Sequence, residues 1–340
     1  MGMEQKFRVG VAQLRPARDA QDAVERIAQM AADAATKHVR LVLFPEAYVG
    51  GYPRGSGFGT LVGQRTDSGR EQFQRYWEAA IDVPGKECEQ LGEIARRHET
   101  ILVVGVIERE LGTLYCTVVF FSAGGVLLGK HRKLMPTGAE RLIWGFGNGS
   151  TMPVLDTPVG KVGALICWEN YMPLMRTAHY AKGIEIYCAP TADGRDTWLP
   201  TMRHIAMEGR CFVLSANQFA RQSDYPKASF SESSAGGADP IVSRGGSCIV
   251  DPFGKVLAGP DFEGEALLVA EVDRGAIARA KYDLDAVGHY ARPDVFSLQV
   301  NESDTRPVVF HSTTGAQAAV TGPKDFTDAG QATFKKKIST

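Results

Sequence analysis

Three reactive side chains in this chain follow directly on short apolar runs. Glu46 comes after RLVLF and Pro45, Lys133 after VLLG in the run His131-Arg132-Lys133, and Cys167 after VGALI, ahead of Trp168 and Glu169. Where such runs are strands of a layered α/β sheet, ligands gather beyond their carboxyl ends, so a carboxylate, an ammonium and a thiol can converge there. The chemistry this points to is nucleophilic catalysis by a thiol. Of the six cysteines, Cys116, Cys188, Cys211 and Cys248 sit inside apolar runs and Cys88 in a helical pattern. Cys167 stands where a strand gives way to polar residues, a place that offers a nucleophile exposure and backbone N–H groups facing its substrate.

Plainer accounts stand beside these. A free cysteine is most often a small buried apolar group, Glu46 can be a solvated loop carboxylate, and Lys133 can be one more charge in a basic run. Position alone favours these plainer accounts of Glu46 and Lys133. None of the seven histidines sits in a motif that would pair it with a cysteine. There is no HExxH and no GxxxxGK[ST], the cysteines form no CxxC pair, and GFGNGS lacks the strand-turn-helix context of a dinucleotide loop. Metal, nucleotide and disulfide chemistry are therefore not indicated.

The elements that must position these groups follow from periodicity. FRVGVAQL, RLVLF and ILVVGVI alternate with helical patterns over residues 19–37 and 85–98. KVGALIC, IEIYCA and CFVLSAN alternate with helices near residues 173–182 and 199–208. Strands spaced by helices of this length predict a layered α/β fold. Both series end alike, since VVFFSAGGVLLG and SCIVDPFGKVLAG each read as two strands joined at a glycine turn, so two related halves are expected. Residues 50–70, 221–244 and the tail after about Val300 read as irregular.

Composition bounds the function. A chain of 340 residues with 44% apolar content fills a substantial core, and 38 Lys plus Arg against 39 Asp plus Glu leave no basic face for a phosphate backbone. Nucleic acid is not an expected partner. Residues 111–129 carry no charge over about the length of a bilayer span, but Thr117, Ser122 and Gly124-Gly125 divide them into a hairpin, so no membrane partner is expected. The start of the sequence carries no leader pattern, and reduced thiols fit a cytoplasmic protein.

FPEAYVGGYP around Glu46, HRKLMPTGAER around Lys133 and ICWENYMPLMR around Cys167 resemble, in this order, the nitrilase superfamily of carbon–nitrogen hydrolases, and the CWEN form resembles its true nitrilase branch. The similarity runs from about Phe7 to the HYARPD segment ending at Asp294. It implies an α-β-β-α sandwich of two mixed sheets with pseudo-symmetric halves, one hydrolase domain over residues 1–300, and a tail, 301–340, that is extended, disordered or inter-subunit. The implied catalytic set is Glu46, Lys133, Cys167 and, in the ER pair after Pro-Thr, Glu140. Glu46 would take the thiol proton, and Lys133 with the Trp168 N–H would meet charge on the nitrile nitrogen.

Tyr52, Trp168, Pro190 and Ala192 resemble pocket positions, although an aromatic or proline there also serves plain packing; Thr137, Trp198 and His289 read more simply as structural. The implied substrate is an organic nitrile (arylaliphatic, aromatic or aliphatic) hydrolysed by water without cofactor or metal. The implied assembly is a homo-oligomer, a dimer extending to a spiral, with residues 55–69, 224–240 and Lys335-Lys336-Lys337 as candidate contacts. Cyanide hydratase or dihydratase, amidase, and a catalytically silent scaffold or binding protein are the alternatives.

Overall fold

The computed structural model describes residues 5–225, 239–305 and 308–309. The chain opens with β1 (Lys6–Gln13), α1 (Ala20–Thr36) and β2 (Val39–Leu43), then α2 (Asp67–Ala79), α3 (Lys86–Arg97), β3 (Ile101–Glu110), β4 (Thr113–Phe121) and β5 (Leu127–Arg132). Next come β6 (Val154–Thr157), β7 (Gly160–Ala164), α4 (Pro173–Ala181), β8 (Ile186–Pro190), α5 (Trp198–Gly209) and β9 (Phe212–Ala216). β10 (Phe219–Arg221), β11 (Ile241–Arg244), β12 (Ser247–Val250), β13 (Val256–Asp261), β14 (Ala266–Asp273) and α6 (Gly275–Asp283) follow.

Two six-stranded sheets result, ordered β14-β1-β2-β3-β4-β5 and β6-β7-β8-β9-β12-β13. In each, three parallel strands (β1, β2, β3 and β7, β8, β9) are followed by an antiparallel pair and bordered on the other side by an antiparallel edge strand. This repeated order is the pseudo-symmetry of the α-β-β-α sandwich.

The continuous apolar runs have a physical cause, because strands covered on both faces alternate between two cores. Leu41 and Leu43 join Ile186, Cys188, Phe212 and Leu214 in the layer between the sheets. Val42 points instead to α1 and α3, and Tyr187 and Val213 to α4 and α5. Helix α1 starts at Asp19, whose carboxylate accepts the Asp22 N–H at 2.8 Å. It buries Ala23, Val24, Ile27, Ala31 and Ala34, the helical stripe that meets β2.

Two readings of irregular sequence need correction. Residues 50–70 run into α2, capped by Thr66, whose hydroxyl accepts the Gly69 N–H at 3.1 Å. Gly69 is its fully buried residue, and Phe73, Tyr76 and Trp77 pack half-buried against the core as a short apolar stripe among charged and polar residues. Within residues 221–244, β11 pairs with β10 as a separate two-stranded sheet. The uncharged stretch 111–129 falls in β4, a turn at Ser122–Gly125, and β5. No helix among the described residues is long and apolar enough to cross a membrane. The candidate contacts at 335–337 and most of those at 224–240 lie outside the described residues.

One buried charge cluster staples the first sheet. Glu108, 1% exposed, accepts Lys130 Nζ at 2.5 Å, Arg132 Nη2 at 2.5 Å and Nε at 2.9 Å, and Thr117 Oγ1 at 3.0 Å. Burial raises its pKa, but the Arg132 and Lys130 cations outweigh that and hold it below the ordinary carboxylate value. Glu108→Gln is expected to cost about 3 kcal/mol in denaturant unfolding, because two partly buried cations lose their partner. A depressed folded pKa makes this contribution fully present above about pH 4.3 and lost as pH falls through the lower folded value. The gap between wild type and variant therefore closes in strong acid.

Candidate active site

Glu46 is placed by backbone bonding beyond the end of β2. Phe44 N–H donates to Val103 O at 2.9 Å and Tyr48 N–H to Gly105 O at 2.8 Å, so residues 44–48 run along β3. Residue 105 has to be glycine, since a Cβ there would lie 2.2 Å from Pro45 O and 2.8 Å from the Glu46 Cα. Glu46 is 1% exposed. Its Oε1 accepts Lys133 Nζ at 2.6 Å and Cys116 Sγ at 3.5 Å, while its buried Oε2 has no hydrogen-bond partner.

Lys133 follows β5, its N–H donating to Cys116 O and its carbonyl accepting the Gly147 N–H, both at 2.8 Å. Its Nζ also donates to Glu140 Oε2 at 2.8 Å and lies 5.4 Å from the Trp144 ring centre. An ammonium has three donors; two go to these carboxylates and one remains. Glu140 is itself held by the Thr137 N–H at 2.7 Å and the Tyr52 hydroxyl at 2.7 Å.

Cys167 follows β7 and opens a 3-10 turn, Cys167–Tyr171, with φ of 50°. A left-handed conformation at a residue with a Cβ costs about 1–3 kcal/mol and persists where surroundings hold it. Asn170 does the holding: its Nδ2 donates to Cys167 O at 2.7 Å and Leu165 O at 3.0 Å, and its Oδ1 accepts the Tyr187 hydroxyl at 2.8 Å. The sulfur receives Thr191 Oγ1 at 3.1 Å and the Ala192 N–H.

A cavity of about 490 Å³ opens over this group, lined by Tyr52, Glu140, Cys167, Trp168, Ala192 and Arg54 among others. Glu46 and Lys133 are not among its lining residues, but Lys133 bonds Glu140, which is. Pro190, read as a pocket residue, is the buried last residue of β8 and is not in the lining. Thr137 lines the cavity, Trp198 is buried with its Nε1 on Ser215 Oγ at 2.8 Å, and His289 stacks edge-on with Tyr290. The reading of the sequence missed Arg54, Thr191, Asp193, Arg195 and residues 241–244 of β11. Thr191 carried a signal, because it follows an apolar strand as Glu46 and Cys167 do.

The electrostatics follow from enclosure. Burial raises the Cys167 thiol and the Glu46 charge raises it further, while Lys133, Thr191 and the Ala192 N–H pull it down. The resting sulfur is thus a thiol. Burial also raises Glu46, with Lys133 opposing, which makes its carboxylate a stronger base. Burial opposes the charge on Lys133, but the Glu46 and Glu140 carboxylates raise its pKa well above the usual value, so it stays cationic.

Comparison with known proteins identifies the family. The carbon–nitrogen hydrolase family model matches residues 8–282. The chain is 58% identical to the bifunctional nitrilase/nitrile hydratase NIT4B of Nicotiana tabacum over 88% of this chain and 87% of that protein. It is 53% identical to an aliphatic nitrilase of Sinorhizobium fredii over 89% of this chain and 98% of that one. In fold it is similar to a carbon–nitrogen hydrolase from Helicobacter pylori, with a TM-score of 0.68 at 21% identity over 86% of this chain and 97% of that chain. The chain belongs to the carbon–nitrogen hydrolase family and, within it, to the nitrilase branch of hydrolases.

Proposed function

We propose that this enzyme converts an organic nitrile and two waters to a carboxylic acid and ammonia, with Cys167 as nucleophile and Glu46, Lys133 and Glu140 as its partners. The observation that carries the reading is a buried ammonium clamped between two carboxylates, next to a thiol presented on a strained turn at a cavity. A nitrile carbon is a modest electrophile that a thiolate attacks and a thiol does not. The unpartnered Oε2 of Glu46 takes the Cys167 proton as the C–S bond forms. Charge then develops on the nitrile nitrogen, where the third Lys133 donor and the Trp168 N–H meet it; one such donor is worth about 3 kcal/mol.

Water activated by Glu46 or Glu140 adds to the resulting thioimidate. Breaking the C–N bond of the tetrahedral adduct releases ammonia and leaves a thioester, which a second water hydrolyses to the acid. Breaking the C–S bond instead releases the amide. The tobacco relative is a bifunctional nitrilase/nitrile hydratase, which favours some amide alongside acid here. Tyr52, Trp168 and Ala192 contact the substrate in this reading, since they line the cavity. Pro190 backs the β8 end that carries Thr191.

A panel of arylaliphatic, aromatic and aliphatic nitriles, cyanide and simple amides, with ammonia and amide both measured, tests the proposal. Acid and ammonia in equal amounts from organic nitriles is the expected result. Turnover of amides alone makes the enzyme an amidase, turnover of cyanide alone a cyanide hydratase or dihydratase, and no turnover of any a silent scaffold. We read residues 1–300 as one domain and the assembly as a cytoplasmic homo-oligomer extending from a dimer. The exposed Leu61 and Val62 of the 55–66 loop support that assembly, and light scattering on the purified protein measures it.

A further inference from the structure

Behind the catalytic groups lies a fully enclosed ion pair that the proposed chemistry does not use. His131 in β5 and Glu169, two residues after Cys167, have no exposed side-chain surface and meet at 2.9 Å, Nε2 to Oε2. His131 Nδ1 faces Thr151 O at 2.6 Å. Glu169 takes two backbone donors as well: Oε1 accepts the Leu134 N–H at 2.6 Å and Oε2 the Ile166 N–H at 2.7 Å. Leu134 follows Lys133, and Ile166 precedes Cys167. One carboxylate thus holds the residue after the ammonium, carried by the first sheet, and the residue before the thiol, carried by the second.

The bonding pattern sets the protonation. A carbonyl only accepts, so Nδ1 of His131 carries a hydrogen toward Thr151. The Ile166 and Leu134 N–H donors favour the ionised form of Glu169, and an ionised carboxylate only accepts, so Nε2 carries a hydrogen too, and His131 is an imidazolium. We propose that the His131–Glu169 ion pair is a positioning device for hydrolysis, locking the Lys133 segment to the Cys167 turn across the two sheets. This rests on the reading of Cys167 as the nucleophile.

The surroundings agree. Burial opposes the imidazolium, but Glu169 and Thr151 O raise its pKa against Lys182, which faces it from the end of α4. Burial likewise opposes the Glu169 charge, and His131 with the Ile166 and Leu134 amides lowers its pKa overall. His179 of α4, the other titratable neighbour, is lowered to about 3 by burial and by the His131 charge, so it stays neutral and leaves the pair intact.

Glu169→Gln, His131→Gln and the double variant test this. Outer partners that orient a reacting group typically matter 10- to 100-fold, so each single variant is expected to lose about that much kcat with KM changed less than about threefold. Alkylation of Cys167 by iodoacetamide should slow in parallel. The double variant should be no worse than the weaker single one, because the two side chains act as a unit. Full kcat in folded Glu169→Gln, or losses that multiply in the double variant, overturns the proposal while leaving Cys167 as nucleophile. Full activity in Cys167→Ala overturns that underlying reading instead. Ring ¹⁵N resonances of wild-type His131 at pH 7.5 decide the matter if the variants do not fold: a doubly protonated ring is expected, and a neutral ring contradicts the pair.

Discussion

Cys167→Ala is expected to abolish nitrile hydrolysis, lowering kcat by at least about 10⁴-fold as nucleophile deletions do, with circular dichroism and melting temperature near wild type. The turn that presents the sulfur is held by Asn170, through Cys167 O and Leu165 O, and these bonds do not involve the side chain. Alanine at φ of 50° bears the same left-handed strain as cysteine. The sulfur is the atom lost, and the Thr191 hydroxyl and Ala192 N–H that faced it keep their places at the cavity. Ammonia release measured against the folded fraction checks the result. Retained activity would assign the chemistry to another group.

Lys133→Met is expected to lower kcat about 10³-fold, the upper range for removing one donor from developing charge. The loss has a second source. Without the cation, Glu46 and Glu140 remain together in an enclosed site, and a proton binds one of them in its place. Glu46 already has a raised pKa from burial, with Lys133 as the opposing influence. The base must be ionised, so activity falls as pH falls through the Glu46 value. Removing Lys133 raises that value further and moves the acid limb of the residual kcat profile to higher pH. An unmoved acid limb would separate Glu46 from the proton transfer.

How far the sequence alone reaches depends on how local each signal is. The strands that lead to Glu46 and Cys167, β2 and β7, are apolar because they pack on both faces, and that pattern lies within five consecutive residues, whereas β5 ahead of Lys133 is a half-buried edge strand with a weaker signal. Glu140 was legible only through its motif, because its tie to Lys133 spans a turn. Long-range closure left no trace. Residues 241–244 line the cavity from a strand that pairs with β10 across a segment rich in Gly and Ser, so they read as loop. Helix α2 was hidden because its apolar stripe is short, Phe73, Tyr76 and Trp77, and lies among charged and polar residues.

The ion pair behind the site was masked for the same reason. His131 sits in a run of four basic residues, Lys130 to Lys133, and what makes it special is Glu169, 38 residues further on and contributed by the other sheet. Pro190 shows the converse: its place in sequence beside Thr191 suggested a pocket role, yet as the last residue of β8 it remains within the buried sheet, and the chain reaches the cavity two residues later at Ala192.

The central claim is a covalent bond between the substrate carbon and one sulfur. Rapid-quench intact-mass spectrometry during turnover of a nitrile, followed by peptide mapping, reads that bond directly. The account predicts an adduct with the mass of the thioimidate or thioester on the peptide containing Cys167, formed and lost at the turnover rate and absent from Cys167→Ala. Turnover with an unmodified Cys167, or an adduct on any of the other five cysteines instead, would contradict it.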